Sequence, residues 1–320
     1  MKGLNSLIRL SVNLDTIFFD ILKKENKQAS IEIWENYCKN NGLDNLTNHC
    51  LYSNPGQFID REKIDSLEKN VTYLRDNLTN SISHIHSYFP MTDTEINHEL
   101  KVTILPYGEI NYGPKTSLQL FSIFPDADPY ETYLFLIHIY YHEIAFLNYT
   151  EYCKECFDSP DSSEKFKHYI LTLIQNEGIG NFAVYKELMR FKNENPNYQF
   201  KYFTYANDLD DEKKISQSFS LLRQILNDLN DSNFKEYKSK INLILKNKRL
   251  PIINLTGTYM ANKINEKFGL EKLKNVHKRD ALDFFNDYIK TKDVMTKVLL
   301  DSNPNYFKEK LDMNILISKQ

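Results

Sequence analysis

Apolar residues recur at helical spacing along much of this chain. Leu14, Ile17, Phe18, Ile21 and Leu22 follow the i, i+3, i+4 pattern of an amphipathic helix. Ile64, Leu67, Val71, Leu74, Leu78 and Ile82 extend that pattern over about five turns, with Asp60 placed to cap it. Further on, Phe166, Ile170, Leu173 and Ile174 mark a third helix, residues 219–229 a fourth, and residues 258–268 a fifth that Gly269 ends. The period changes only in between. Residues 101–105 alternate apolar and polar side chains and residues 117–124 do so more loosely, with Pro106-Tyr-Gly108 and Tyr112-Gly113-Pro114 supplying turns. Two strands of a small sheet are predicted there. Residues 193–212, rich in Asn, Asp and Tyr, are predicted to loop or form a lid.

The expected class is therefore α+β and predominantly helical. Residues 1–95 form a helical N-terminal region, 96–190 a core holding the strands, and 191–320 a helical C-terminal region. Composition narrows this in two ways. With 320 residues, 41% of them hydrophobic, the chain can bury a large core. A net charge of −3 lacks the basic excess of a nucleic-acid binder.

One helix carries chemistry. Asp128-Pro129-Tyr130-Glu131 is a well-formed helix start, with Asp at the cap and Pro at the first position. From Tyr133 to Leu147 the helix is apolar or aromatic on every side except at His138, His142 and Glu143. A helix apolar all round is buried, and ionisable groups on it are costly unless paired or bound to a metal. His138 and His142 stand four apart on one face, near enough to share an ion, and zinc takes two imidazoles in this way. Glu177 lies on the apolar face of its own helix, where a buried carboxylate wants a cation. Gly178 and Gly180 beside it permit close approach of another helix, and Asn181, one turn on, could bond the free nitrogen of a ligating histidine. Two His and one Glu with an open fourth position describe a hydrolytic zinc site.

Strand, strand, His-bearing helix and then Glu177-Gly-Ile-Gly-Asn181 resembles the gluzincin-type zinc-dependent peptidases of bacteria. Those place HExxH on one helix and take the third ligand from the Glu of an EGIA-like stretch. Thr256-Gly-Thr-Tyr-Met-Ala-Asn-Lys-Ile264 followed by Lys267-Phe-Gly-Leu270 is similar to the family's late helix, so the resemblance covers roughly residues 100–275. It implies a zincin-like small sheet packed on a buried metal-site helix, a zinc ion and a peptide or protein substrate. It also implies roles: Glu143 as the proton acceptor, Tyr259 as a donor to the oxyanion, and an edge of strand 117–124 for an extended peptide. HExxH is not intact. With His138 and His142 as its histidines, Ile139 stands where the general-base Glu belongs, and Glu143 lies one turn further along.

Two alternatives to an active hydrolase follow. One is a catalytically inactive relative that serves as a binding or regulatory protein, which Ile139 favours. The other is a metal-free helical interaction protein, with His138 and His142 bonded to nearby tyrosines such as Tyr140, Tyr141 and Tyr149. Cys153 and Cys156 form a lone CxxC without thioredoxin or zinc-ribbon context. The opening residues read as amphipathic rather than as a signal peptide, and residues 133–147 are too short and too polar for a membrane span. A cytoplasmic protein with neither nucleic-acid nor membrane partners is expected.

Overall fold

In the computed structural model, side chains are described for residues 65–66, 68–77, 127–138, 161–234, 251–274, 280–302 and 305–310, with isolated positions at 32, 36, 39–40 and 236. Residues 8–15, 96–105 and 118–122 are described by their backbone. The chain divides into two compact units: Met1–Ser87 with Met91–Ile137, and Tyr88–Pro90 with His138–Gln320.

The expectation of a zincin-like α+β fold is overturned. Residues described with their side chains form helices, turns and loops, none of them in a strand, and the described chain is predominantly helical. The strands seen in backbone alone, β1 (Ile8–Asp15), β2 (Ile96–Leu105) and β3 (Leu118–Ser122), pair in the order β1-β2-β3, both pairs parallel. Among the described elements their main contacts are with one another. Strand β1 occupies part of the segment expected to be helical. Its sequence, IRLSVNLD, alternates apolar and polar residues without a break, and that period of two favours a strand over the helical stripe that Leu14 was assigned to.

In the first unit, helical residues 68–77 lie against residues 127–137. Val71 and Leu74 are buried on one side and Leu134, Leu136 and Ile137 on the other. Asn70 Nδ2 donates to Ala127 O at 3.3 Å, and the Tyr73 ring meets Tyr133 edge-on. Asp128 caps the second stretch, its Oδ1 accepting from Tyr130 N at 2.7 Å.

The second unit is built around α1 (Ser163–Glu194), which starts at the Ser162 cap and ends at Asn195. Phe166, Ile170 and Ile174 are buried as their spacing predicts, and residues 178–184 are buried on every side, so this turn runs through the interior. Around it lie α2 (Glu212–Asp228), α3 (Ile252–Phe268), α4 (Leu270–Lys274), α5 (Ala281–Ile289), α6 (Val294–Leu300) and α7 (Tyr306–Lys310). Asp211, Asp280 and Asp293 cap α2, α5 and α6. Gly269, at φ 83°, closes α3 in a conformation that a side chain would strain.

The tightest packing is α1 on α3. A Cβ on Gly178 would sit 2.5 Å from Gly257 C, and one on Gly257 would sit 2.3 Å from Ile174 O. Both obstacles are backbone and cannot rotate away. Two helices approach this closely only where both lack side chains. Gly257→Ala is expected to lower the unfolding free energy by about 1–3 kcal/mol or more, the range for overpacking a rigid site. Urea unfolding followed by circular dichroism measures it. An unchanged midpoint would show that the helices can separate at little cost.

Candidate metal and catalytic site

The glycine crossing fixes what lies next to it. Glu177 precedes Gly178 on α1, and Thr258 follows Gly257 on α3. Between α1 and α2 the chain doubles back through residues 195–211, including one 3-10 turn, Thr204–Asn207. This segment was expected to loop or form a lid. It is a loop with a packed interior: Phe200, Phe203, Tyr205 and Ala206 are buried. Phe191, Tyr198 and Phe200 cluster with edge-on and tilted ring contacts, and Lys192 Nζ donates to Ala206 O at 3.0 Å and to Asp210 Oδ2 at 2.7 Å. Lys214 pairs with Asp208 from the α2 side.

His138, 6% exposed, closes the stretch 129–138 and belongs to the second unit. Its Nε2 stands 3.6 Å from Glu177 Oε2, and its ring meets Phe203 edge-on with centroids 5.8 Å apart. Two of the three predicted ligands thus come together. Glu177 was expected to be buried, but its side chain is 24% exposed, which leaves one side of the pair open. The separation can be tested against a metal's requirements. Ligands at about 2.0–2.2 Å from one tetrahedral zinc stand about 3.3–3.6 Å apart. The His138–Glu177 distance fits at the upper end of that range, while it is long for a hydrogen bond.

Asn181, predicted one turn beyond Glu177, is fully buried. Its Oδ1 and Nδ2 both lack hydrogen-bond partners among the described residues. A buried amide in that state costs about 1–3 kcal/mol, so its surroundings should include a polar group that it serves. His142, Glu143, Ile139, Cys153 and Cys156 lie outside the described residues. Among the described residues no three of His, Cys, Asp or Glu gather into a metal-binding group.

Tyr259, expected to donate to an oxyanion, is engaged with a carboxylate in the structure. Its hydroxyl lies 3.0 and 3.1 Å from the two carboxylate oxygens of Asp293, to which it donates. The Tyr288 hydroxyl donates to the same Asp293 at 3.0 Å, and that carboxylate also caps α6 through Met295 N at 2.9 Å. Burial, with the Asp293 charge next in importance, pushes both phenols above their ordinary range, so both stay protonated donors. This ties α3, α5 and α6 together.

Sequence reasoning missed Tyr205. It is 1% exposed and its ring meets Phe203 edge-on. Burial, and then Glu177, raise its phenol well above the usual range. No local pattern separates it from the chain's 21 tyrosines.

The chain matches the model of the family described as "Putative zinc dependent peptidase (DUF5700)" over residues 17–292, and it belongs to that family. No curated protein and no solved structure matches it. No described helix is long and apolar enough to cross a membrane.

Tyr259→Phe is expected to cost about 0.5–1.5 kcal/mol of stability, the worth of one buried hydrogen bond, and to leave metal content unchanged. Thermal unfolding and elemental analysis of the same preparation check both. A variant that kept its stability and its metal but lost peptide hydrolysis would support the oxyanion role for Tyr259.

Proposed function

We propose that this chain is a peptidase that holds zinc through His138, His142 and Glu177. The observation that carries the reading is the 3.6 Å approach of His138 Nε2 to Glu177 Oε2. It joins two residues that are 39 positions apart in sequence, at a spacing that suits one tetrahedral ion. The family's description and the buried, unpartnered Asn181 support it. His142, four residues beyond His138 in sequence, supplies the remaining imidazole, and Asn181 orients a ligating ring through its free nitrogen. The gluzincin-type assignment belongs to this reading as well.

When bound, zinc supplies Lewis acidity, polarising a carbonyl and making water easier to deprotonate. The chain's residues do the rest. Glu143 accepts the proton from the attacking water and passes it to the leaving amine. Phe203, packed edge-on against His138, excludes water from one side of the pair and keeps the imidazole in place. The partly exposed side of Glu177 is the side from which a peptide reaches the site.

Ile139 favours a second reading. An apolar residue at the position next to the first histidine removes the usual proton acceptor, so a chain that binds zinc without turnover would be a binding or regulatory protein.

Elemental analysis and peptide hydrolysis separate these readings. The purified protein is expected to carry about one zinc per chain, which His138→Ala and Glu177→Gln each abolish. Chelation should stop cleavage of a peptide library, and Glu143→Gln should slow it by about 100-fold or more. Zinc without cleavage selects the regulatory reading. A wild-type protein that takes up no zinc leaves a helical interaction protein.

A further inference from the structure

The atoms that Gly257 faces belong to the turn that carries Glu177. A Cβ on Gly257 would stand 2.3 Å from Ile174 O, 2.8 Å from Gly178 Cα and 2.9 Å from Gly178 N. Gly178 N is bonded to the carbonyl carbon of Glu177, and Ile174 O is the carbonyl one helical turn behind that same amide. Ordinary contact with a Cβ begins at 3.4 Å, so Ile174 O would have to recede by about 1 Å. Either α1 is pushed away or α3 moves back. Both routes reach the His138–Glu177 pair. A push on α1 displaces Glu177, while His138, outside that helix, is not pushed with it. A retreat of α3 disturbs the turn of residues 204–207 that packs on it, and Phe203, at the head of that turn, meets the His138 ring.

We propose that Gly257 is a positioning residue: by lacking a side chain it sets where Glu177 stands relative to His138, and so the fit of a metal ion between them. This rests on the zinc-site reading above. The 3.6 Å separation of Nε2 and Oε2 is already at the upper end of what one tetrahedral zinc spans. Ligand distances tolerate only about 0.2 Å of error, much less than relief of the clash demands. Nor does α3 yield freely, because Tyr259, two residues beyond Gly257, is tied to Asp293.

Zinc affinity of the folded protein, measured by competition with a chromophoric chelator well below the melting temperature, is expected to fall about 10- to 100-fold in Gly257→Ala, as when a ligand loses its support. Leu299→Ala, which empties part of the buried core at α6, should melt lower as well but bind zinc as the wild type does. Unchanged affinity in Gly257→Ala overturns the proposal and leaves the metal site standing. An equal loss in Leu299→Ala also overturns it, since instability alone would then account for the effect. A wild type that binds no zinc overturns both readings. If Gly257→Ala does not fold, the wild type decides. Thr256–Gly257 is the one Thr-Gly pair in the chain, so carbonyl-13C threonine with 15N glycine isolates the Gly257 amide resonance. Binding couples the two places reciprocally, so that resonance should shift on zinc addition although α3 supplies no ligand, and an unmoved resonance overturns the proposal.

Discussion

Everything around the candidate site depends on two helices whose backbones touch. At the α1–α3 crossing, Gly178 and Gly257 leave no room for a methyl group, and what meets there is main chain rather than side chain. Side-chain contacts can give by rotamer changes, whereas peptide groups in the middle of two helices cannot. The crossing therefore acts as a fixed point. Glu177 and Thr258 each stand one residue from it, and the turn carrying Tyr205 packs against α3. A metal needs its ligands placed within a few tenths of an ångström. A backbone-to-backbone contact is the stiffest support available for such a demand.

The second support is the loop of residues 195–211. Its composition is polar, yet it buries Phe200, Phe203 and Tyr205, and near its C-terminal end lysine–aspartate pairs tie it to both α1 and α2. Exposed ion pairs of this kind contribute little stability. Their use here is to hold the loop in one register, so that Phe203 always meets His138 from the same direction. Placing rings beside a half-buried carboxylate lowers the local dielectric, which strengthens any interaction the carboxylate makes with a cation.

The sequence made part of this legible. Phe166, Ile170 and Ile174 announced the buried face of α1, Gly269 its neighbour's end, and the pairing of Glu177 with Gly178 the close approach of another helix. Each of these signals is local: a period, a cap or a missing side chain. Strand β1 was legible as well, since Ile8, Leu10, Val12 and Leu14 alternate with polar residues, but Leu14 also fits a helical stripe running on to Leu22. Short segments that satisfy two periods are decided by their pairing partner, here β2, which lies more than eighty residues away. The fate of Tyr259 was not legible. It depends on Asp293, which caps a different helix, and nothing near residue 259 reports that. Tyr205 was hidden for the same reason in reverse: its interest comes wholly from what surrounds it.

Several buried polar side chains of this fold serve its structure. Asn305 donates to Leu299 O and accepts from Phe307 N, and Thr256 returns its proton to Ile252 O. Asp293 takes two phenols and a backbone amide. Others are left without a partner among the described residues: the hydroxyls of Thr172 and Ser218, and both ends of the Asn181 amide. An amide has donors and an acceptor to satisfy, so it loses more than a hydroxyl does. Replacing Asn181 by an apolar residue of like size would remove a cost of about 1–3 kcal/mol. A chain that keeps it one turn from Glu177 gives up stability at that spot, a concession that suits a site whose partner is set by chemistry rather than by folding. Gly178 and Gly257 make the concession bearable, because the backbone contact they allow holds this turn of α1 in place without help from the amide it leaves unpaired.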